Sequence, residues 1–197
     1  MAGIVFYILD LETTGLSKLR HEIIEISVIR VSDRCQINRQ VRADRPNDAS
    51  FDALKITGKT IDDLYIGISK KQMIADIEEF FNQDGLTPAH RCIVGHNIIG
   101  FDKNFLHYAW DKADKQFPAE LWFDTLSMCR KVAKDMGLVR PRLNLHSVCD
   151  MFGIKKIATA HNSKDDTKNN YMLFQYFIDK KIPYLELIKR IPHYKDE

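Results

Sequence analysis

Ile4-Val5-Phe6-Tyr7-Ile8-Leu9-Asp10-Leu11-Glu12-Thr13-Thr14-Gly15 is the stretch on which the fold turns. Six consecutive β-branched, aromatic or aliphatic residues predict a strand apolar on both faces, which suits the middle of a sheet covered by helices on each side. Asp10 closes the run and Glu12 follows two residues later. In an extended chain positions i and i+2 point the same way, so both carboxylates project from one side. Two like charges that close repel unless a cation lies between them. Alone, an Asp-x-Glu pair more often marks only a strand end and a solvated turn before Gly15, so the rest of the chain has to supply the other ligands.

At 197 residues and 45% apolar composition, the chain predicts one globular domain with enough core to fold alone. Met1-Ala2-Gly3 runs into the strand without a basic leader or cleavage site, and no stretch approaches 18 continuous apolar residues. The expectation is a soluble, cytoplasmic protein with no membrane partner. Cys35, Cys92, Cys129 and Cys149 show no Cys-x-x-Cys spacing and read as reduced thiols. A net charge of +2 does not identify a nucleic-acid partner by itself; what matters is where the cations lie.

Further along, residues 23–31 and 35–41 read as strands that complete an antiparallel meander, and residues 51–56 and 61–66 as short helices. Met73, Ile74, Ile77, Phe80 and Phe81 form one helical stripe. Residues 91–95 read as a strand and 96–100 as a loop; Phe101, Phe105, Tyr108 and Ala109 recur at helical spacing to about residue 113. Asp102 therefore lies in a first helical turn, where the helix dipole favours a carboxylate. Residues 121–124 predict a strand leading into a helix with Leu126, Cys129, Val132, Ala133 and Met136 on its face. Asn144 caps the next helix, whose inward set is Leu145, Val148, Cys149 and Phe152. In the last long helix Asp166, Asn170, Leu173, Phe174, Phe177 and Ile178 share the face that packs against the core, while Asp165 points about 100° away as a solvated acid. Residues 181–197 form a terminal extension around one amphipathic piece, 184–191.

Four acids thus fall at element ends: Asp10, Glu12, Asp102 and Asp166. Convergent carboxylates suit hard divalent cations such as Mg²⁺ or Mn²⁺ and are what a two-metal phosphoryl-transfer site needs. His161, five residues before Asp166, can take a proton near neutral pH.

Asp10-Leu11-Glu12-Thr13-Thr14-Gly15-Leu16, His96-Asn97-Ile98-Ile99-Gly100-Phe101-Asp102 and His161-Asn162-Ser163-Lys164-Asp165-Asp166 resemble the three motifs of the DEDDh branch of the DnaQ-like 3′–5′ exonucleases. That group includes the proofreading ε subunit of bacterial DNA polymerase III, RNase T and oligoribonuclease. The similarity runs from about residue 4 to 178, departing at Ser163 and Thr167, where the family often has Ala. It implies an α/β, RNase H-like fold: a mixed five-stranded sheet, three antiparallel strands first, flanked by helices. Residues 1–180 would be the exonuclease domain and 181–197 its C-terminal extension.

The resemblance also implies chemistry. Asp10 would bridge two Mg²⁺ ions roughly 4 Å apart, with Mn²⁺ able to substitute. Glu12 and Asp166 would complete the ion that holds the attacking water, Asp102 would hold the ion facing the leaving 3′-oxygen, and His161 would deprotonate the water. The product would be a nucleoside 5′-monophosphate from a single-stranded or frayed nucleic-acid 3′ end, DNA ahead of RNA. A DNA polymerase or a second copy of the chain are the protein partners it brings with it.

Other residues admit two readings. Thr13, Thr14 and Leu16 give backbone amides and an apolar wedge to the 3′ end, or form a tight turn with a buried Leu. Asn97 contacts substrate or satisfies its loop, and His96 reads as a loop residue. His21, His90, His107, His146 and His193 have no acid constellation near them in sequence and read as surface or core. Phe101 and Phe105 read as core before base-stacking platforms. Arg39, Arg42, Arg45, Arg140 and Arg142 read as a solvated face before a phosphate track. Two rival functions stand beside the exonuclease: an RNase H-like endonuclease, against which the placement of His161 argues, and a catalytically silent nucleic-acid-binding or polymerase-associated module.

Overall fold

The N-terminal apolar run forms strand β1 (Val5–Thr13), and its alternation decides which side of the sheet each acid faces. Tyr7, Leu9 and Leu11 enter one apolar cluster while Ile8 enters another. Asp10 and Glu12, in step with Ile8, therefore face the second side. The computed structural model describes residues 3–157 and 162–193.

β2 (Ile23–Arg30) and β3 (Gln36–Gln40) extend the sheet antiparallel from one edge of β1, with Glu12 directly opposite Glu25 and a register shift between Glu12 and Thr13. After α1 (Phe51–Thr57) and α2 (Lys70–Asn82), β4 (Arg91–Gly95) pairs parallel with the other edge of β1. α3 (Asp102–Lys112) leads to β5 (Leu121–Asp124), parallel to β4. Then follow α4 (Thr125–Asp135), α5 (Leu145–Met151), α6 (Ser163–Asp179) and the two-residue β6 (Lys189–Arg190). The sheet order is β3-β2-β1-β4-β5-β6.

Helices α2 and α3 cover the face of Tyr7 and Leu9, burying Met73, Ile77, Phe81, Phe105, Leu106 and Trp110. Residues of α4, α5 and α6 cover the other, with Met128, Cys149, Leu173, Phe174 and Phe177 fully buried. β1, β4 and β5 end at the same sheet edge, where crevices form as chains leave in different directions. The acids of the first two motifs lie at that edge.

Several expectations need correction. The sheet has six strands, not five, because the extension returns antiparallel to β5: Ile191 N–H donates to Glu120 O at 2.7 Å and Trp122 Nε1 to Ile191 O at 3.1 Å. A two-residue strand carries no periodicity to read. Residues 184–191 accordingly split into a 3₁₀ turn, Leu185–Leu187, and β6. His193 anchors this segment, being 5% exposed, accepting the Phe117 N–H and touching Asp111 at 2.9 Å. Residues 61–66 give one 3₁₀ turn, Asp62–Tyr65. The buried face of α4 is Thr125, Met128, Cys129 and Ala133, and Met136 lies outside the helix, exposed. Asp166 sits at the margin of the buried face of α6, with Thr167 and Asn170 deeper. No helix among the described residues is long and apolar enough to cross a membrane.

Candidate active site

Asp10, Glu12 and Asp166 each present a carboxylate oxygen, and the three oxygens lie within 4.8 Å of one another. The two strand acids arrive by the period of two; Asp166 arrives because α6 packs across β1 and β2, its start fixed by Asn162, whose side chain accepts the Asp165 N–H at 2.8 Å. Asp102 comes from the opposite face, at the first residue of α3. It is 4% exposed, and its Oδ1 accepts the Leu11 N–H at 3.2 Å, placing it against the end of β1 between the two strand acids in sequence.

Burial and crowding shift Asp10, Glu12 and Asp102. Burial, then the charges of Asp102, Glu12 and Asp166, hold the Asp10 carboxyl well above the usual carboxylate range. Burial, then Glu25 and Asp166, push Glu12 up to about 8, with Lys59 working the other way. Asp102 is pushed up to about 8 by burial, with Glu12 and Asp124 adding to it against the backbone N–H groups that favour its charge. Clustered, largely shielded carboxylates that repel one another when ionised, with oxygen as the donor atom, fit Mg²⁺ or Mn²⁺. The donor set therefore fits the metal that the motifs imply.

Around the acids stands a layer that sequence reading missed. Glu25 Oε1 meets Lys59 Nζ at 2.5 Å, and Oε2 accepts from Ser163 N and Oγ at 3.3 and 3.2 Å. The Ser163 hydroxyl, a departure from the family pattern, thus ties the start of α6 to β2 directly opposite Glu12. Thr167, the other departure, donates to Ser163 O at 2.5 Å. His146 Nε2 lies 3.1 Å from Asp166 Oδ1, although twenty residues separate them. The one signal for this contact is that α5 and α6 are consecutive helices, which commonly pack together.

Asp124, at the end of β5, caps α4 and also accepts from Asn97 N at 3.1 Å and Ile99 N at 3.3 Å, pinning the loop that delivers Asp102. Asn97 itself adopts a left-handed φ of 64° and is exposed. His96 bridges Thr125 Oγ1 and Leu143 O at 3.1 and 2.7 Å, a structural post in the loop. Thr14 is fully buried: its N–H donates to Glu22 O and its hydroxyl accepts the Glu22 N–H, both at 2.9 Å. Thr13, also buried, donates to Gly15 O. Leu16, by contrast, is 85% exposed, which removes the buried-Leu reading of that turn. Phe105 is core, and Arg39 and Arg45 are held in ion pairs with Asp76 and with Glu22 and Asp48. His161, the expected general base, lies outside the described residues.

The sequence profile of the RNase_T exonuclease family matches residues 7–174. Over 92% of its length the chain is 25% identical to the DNA polymerase III PolC-type of Oceanobacillus iheyensis, and over 97% it is 28% identical to that of Thermotoga petrophila. It spans only 12% and 13% of those proteins. Among solved structures, the zinc-bound E. coli ExoI–ssDNA complex superposes with a TM-score of 0.76 at 17% identity, over 93% of this chain and 42% of that one. Cell-death related nuclease 4 (CRN-4) does so with a TM-score of 0.73 at 16% identity, over 89% and 64%. At such identities these structures show a common fold.

Proposed function

We propose that this chain, which belongs to the RNase_T exonuclease family, removes nucleotides one at a time from the 3′ end of a single-stranded or frayed nucleic acid. The observation that carries the reading is the meeting of Asp10, Glu12 and Asp166 within 4.8 Å beside buried Asp102. Residues 1–180 would form the exonuclease domain and 181–197 its C-terminal extension. The E. coli ExoI neighbour is described in complex with single-stranded DNA and a zinc ion, and another neighbour recognises a histone mRNA stem-loop 3′ end, which supports a 3′-terminal substrate without choosing its sugar.

Two Mg²⁺ ions, replaceable by Mn²⁺, would be held by Asp10, Glu12, Asp166 and Asp102 and would supply charge neutralisation at the phosphate and activation of water. Within that setting the chain's residues position and move protons. Asp102, locked by the Leu11 N–H, and Asp166, held by His146, keep their carboxylates from turning away. His161 takes the proton of the attacking water, whose oxygen bonds to the terminal phosphorus. The 3′-oxygen of the preceding nucleotide leaves, and a nucleoside 5′-monophosphate is released. The exposed Leu16 side chain serves as the apolar wedge against the terminal base, with Thr13 and Asn97 as further contacts to the strand end. Thr14, bonded to Glu22 on both its N–H and hydroxyl, shapes the turn from within.

Digestion of 5′-labelled single-stranded DNA, frayed duplex DNA and single-stranded RNA, with Mg²⁺ and with Mn²⁺, tests the function. A ladder of stepwise shorter products with mononucleotide release is expected on at least one; a single internal cut means an endonuclease, and no product on any means a silent module. His161→Ala should lower kcat by about 10²-fold or more with little change in metal affinity.

Two further substitutions separate structure from function. Leu16→Ala should leave stability within about 0.5 kcal/mol, because the side chain is already in water, while raising KM. A loss of several kcal/mol in thermal unfolding would return Leu16 to the core. His146→Gln should weaken metal affinity by about 10–100-fold, the usual effect of removing the partner that orients a metal-binding carboxylate. Metal titration of activity reads it, and an unchanged midpoint would deny His146 that role.

A further inference from the structure

A cavity of about 770 Å³ lies apart from the carboxylates, between α2 and α3, and nothing in the chemistry above uses it. Met73, Ile74, Phe105 and Tyr108 contribute apolar and aromatic lining. Five Lys and Arg side chains line it against two carboxylates, Glu22 and Asp44, and both of these are already held by Lys70. Lys18 and Lys112 place their ammonium groups 6.0 and 5.3 Å from the centre of the Tyr108 ring. Among the described residues no carboxylate pairs with Lys18, Lys71 or Lys112. A strand whose phosphates draw the Lys18 and Lys112 ammonium groups off the ring would open the Tyr108 face to a base.

One end of the cavity adjoins the turn after Glu12: His21 accepts the Ser17 N–H at 3.0 Å. His21 lines its near end and packs so closely under Gly15 that a Cβ there would fall 2.5 Å from the ring. Phe105, on its wall, stands one turn after Asp102 on α3. The groove thus starts beside the turn that carries Leu16 and runs along α3 away from the acids.

We infer that the α2–α3 groove binds the phosphodiester strand behind the 3′-terminal nucleotides, with Lys18, Lys71 and Lys112 on phosphates and Tyr108 under a base. This rests on the exonuclease reading and adds to it a second contact region that holds longer strands. A peptide partner would have to be acidic to satisfy the same rim; His21, shared between the groove and the turn that carries Leu16, favours the strand.

The test is equilibrium binding, in EDTA, of 5′-fluorescein-labelled dT20 and U20 and of the matching trimers, at several salt concentrations. The unsubstituted protein should bind one of the 20-mers at least tenfold more tightly than its trimer. The Lys71→Gln/Lys112→Gln double variant should lose most of that excess, and the slope of log affinity against log salt should become shallower by about 1.4, or about 0.7 for each cation removed. Tyr108→Ala should lower 20-mer affinity without changing the slope. An excess and a slope equal to those of the unsubstituted protein in the double variant would overturn the inference. So would a double variant that keeps its oligonucleotide affinity but loses binding of poly-glutamate, which would assign the groove to a protein partner. Mononucleotide release from the same 20-mers in Mg²⁺ is measured alongside. Release with no effect of the groove variants defeats this inference alone, whereas absence of release defeats the exonuclease reading while the binding data still decide the groove.

Discussion

Asp10→Asn should abolish hydrolysis, lowering kcat by about 10³-fold or more, and yet make the protein in EDTA harder to unfold. Both effects come from one cause. Asp10 stands where Asp102, Glu12 and Asp166 all raise its carboxyl above the usual range, after burial has already done so. Its ionised form is destabilising without a cation and indispensable for holding one. Removing the charge relieves the repulsion, a gain of roughly 1–2 kcal/mol that corresponds to a melting temperature about 2–8 °C higher for a chain of this size. Activity and calorimetry on the same preparation check it. A variant that loses activity and also stability in EDTA would point to a structural role for Asp10.

In EDTA, stability should rise as pH falls from about 9 to about 6.5. Glu12 and Asp102, each pushed up to about 8, bind protons in the folded state that they have not yet bound in the unfolded state. A folded pKa above the unfolded one means that the folded protein takes up protons first, so lowering pH through 8 favours it until the unfolded carboxylates also protonate near 4. Below about 6.5 groups of opposite sign come in, beginning with His96 and His107, which burial lowers, the latter to about 3, so that the unfolded chain takes up these protons first. Asp84 is another: burial raises it, but the Arg91 guanidinium, the Tyr7 hydroxyl and the Leu86 amide hold it below its ordinary value, so its contribution is lost on acidification. Saturating Mg²⁺ should flatten the profile between about 6.5 and 9, because the cation replaces the protons. A metal-free melting temperature that is flat or falls across this window would mean that the carboxylates do not repel one another in solution.

Much of this arrangement was legible in the chain. The doubly apolar run through Leu9, the i, i+2 placement of Asp10 and Glu12, the helical start at Asp102 and the helical face that carries Asp166 follow from periods of 2.0 and 3.6, and they located four acids at element ends. What those periods cannot give is pairing across the fold. Glu25 opposite Glu12 depends on strand register, which the bulge at Glu12/Thr13 helps to set. His146 against Asp166 depends on the packing of α5 on α6, and Asp124 beneath the Asn97 loop on the adjacency of β4 and β5. The amphipathic pattern of 184–191 likewise did not say what the segment pairs with: the edge of β5 offers backbone partners that take residues 189–190 as β6. Leu16 shows the converse, a large apolar residue in a turn whose exposure no pattern discloses.

The claim beneath all of this is that acids from both faces of the sheet jointly hold divalent cations at the end of β1. A crystal soaked in Mn²⁺ and measured for anomalous scattering tests it most directly. Strong peaks ringed by Asp10, Glu12 and Asp166, with Asp102 on the far side, are the expected result; a map with Mn²⁺ bound only elsewhere and these four carboxylates bare would contradict it.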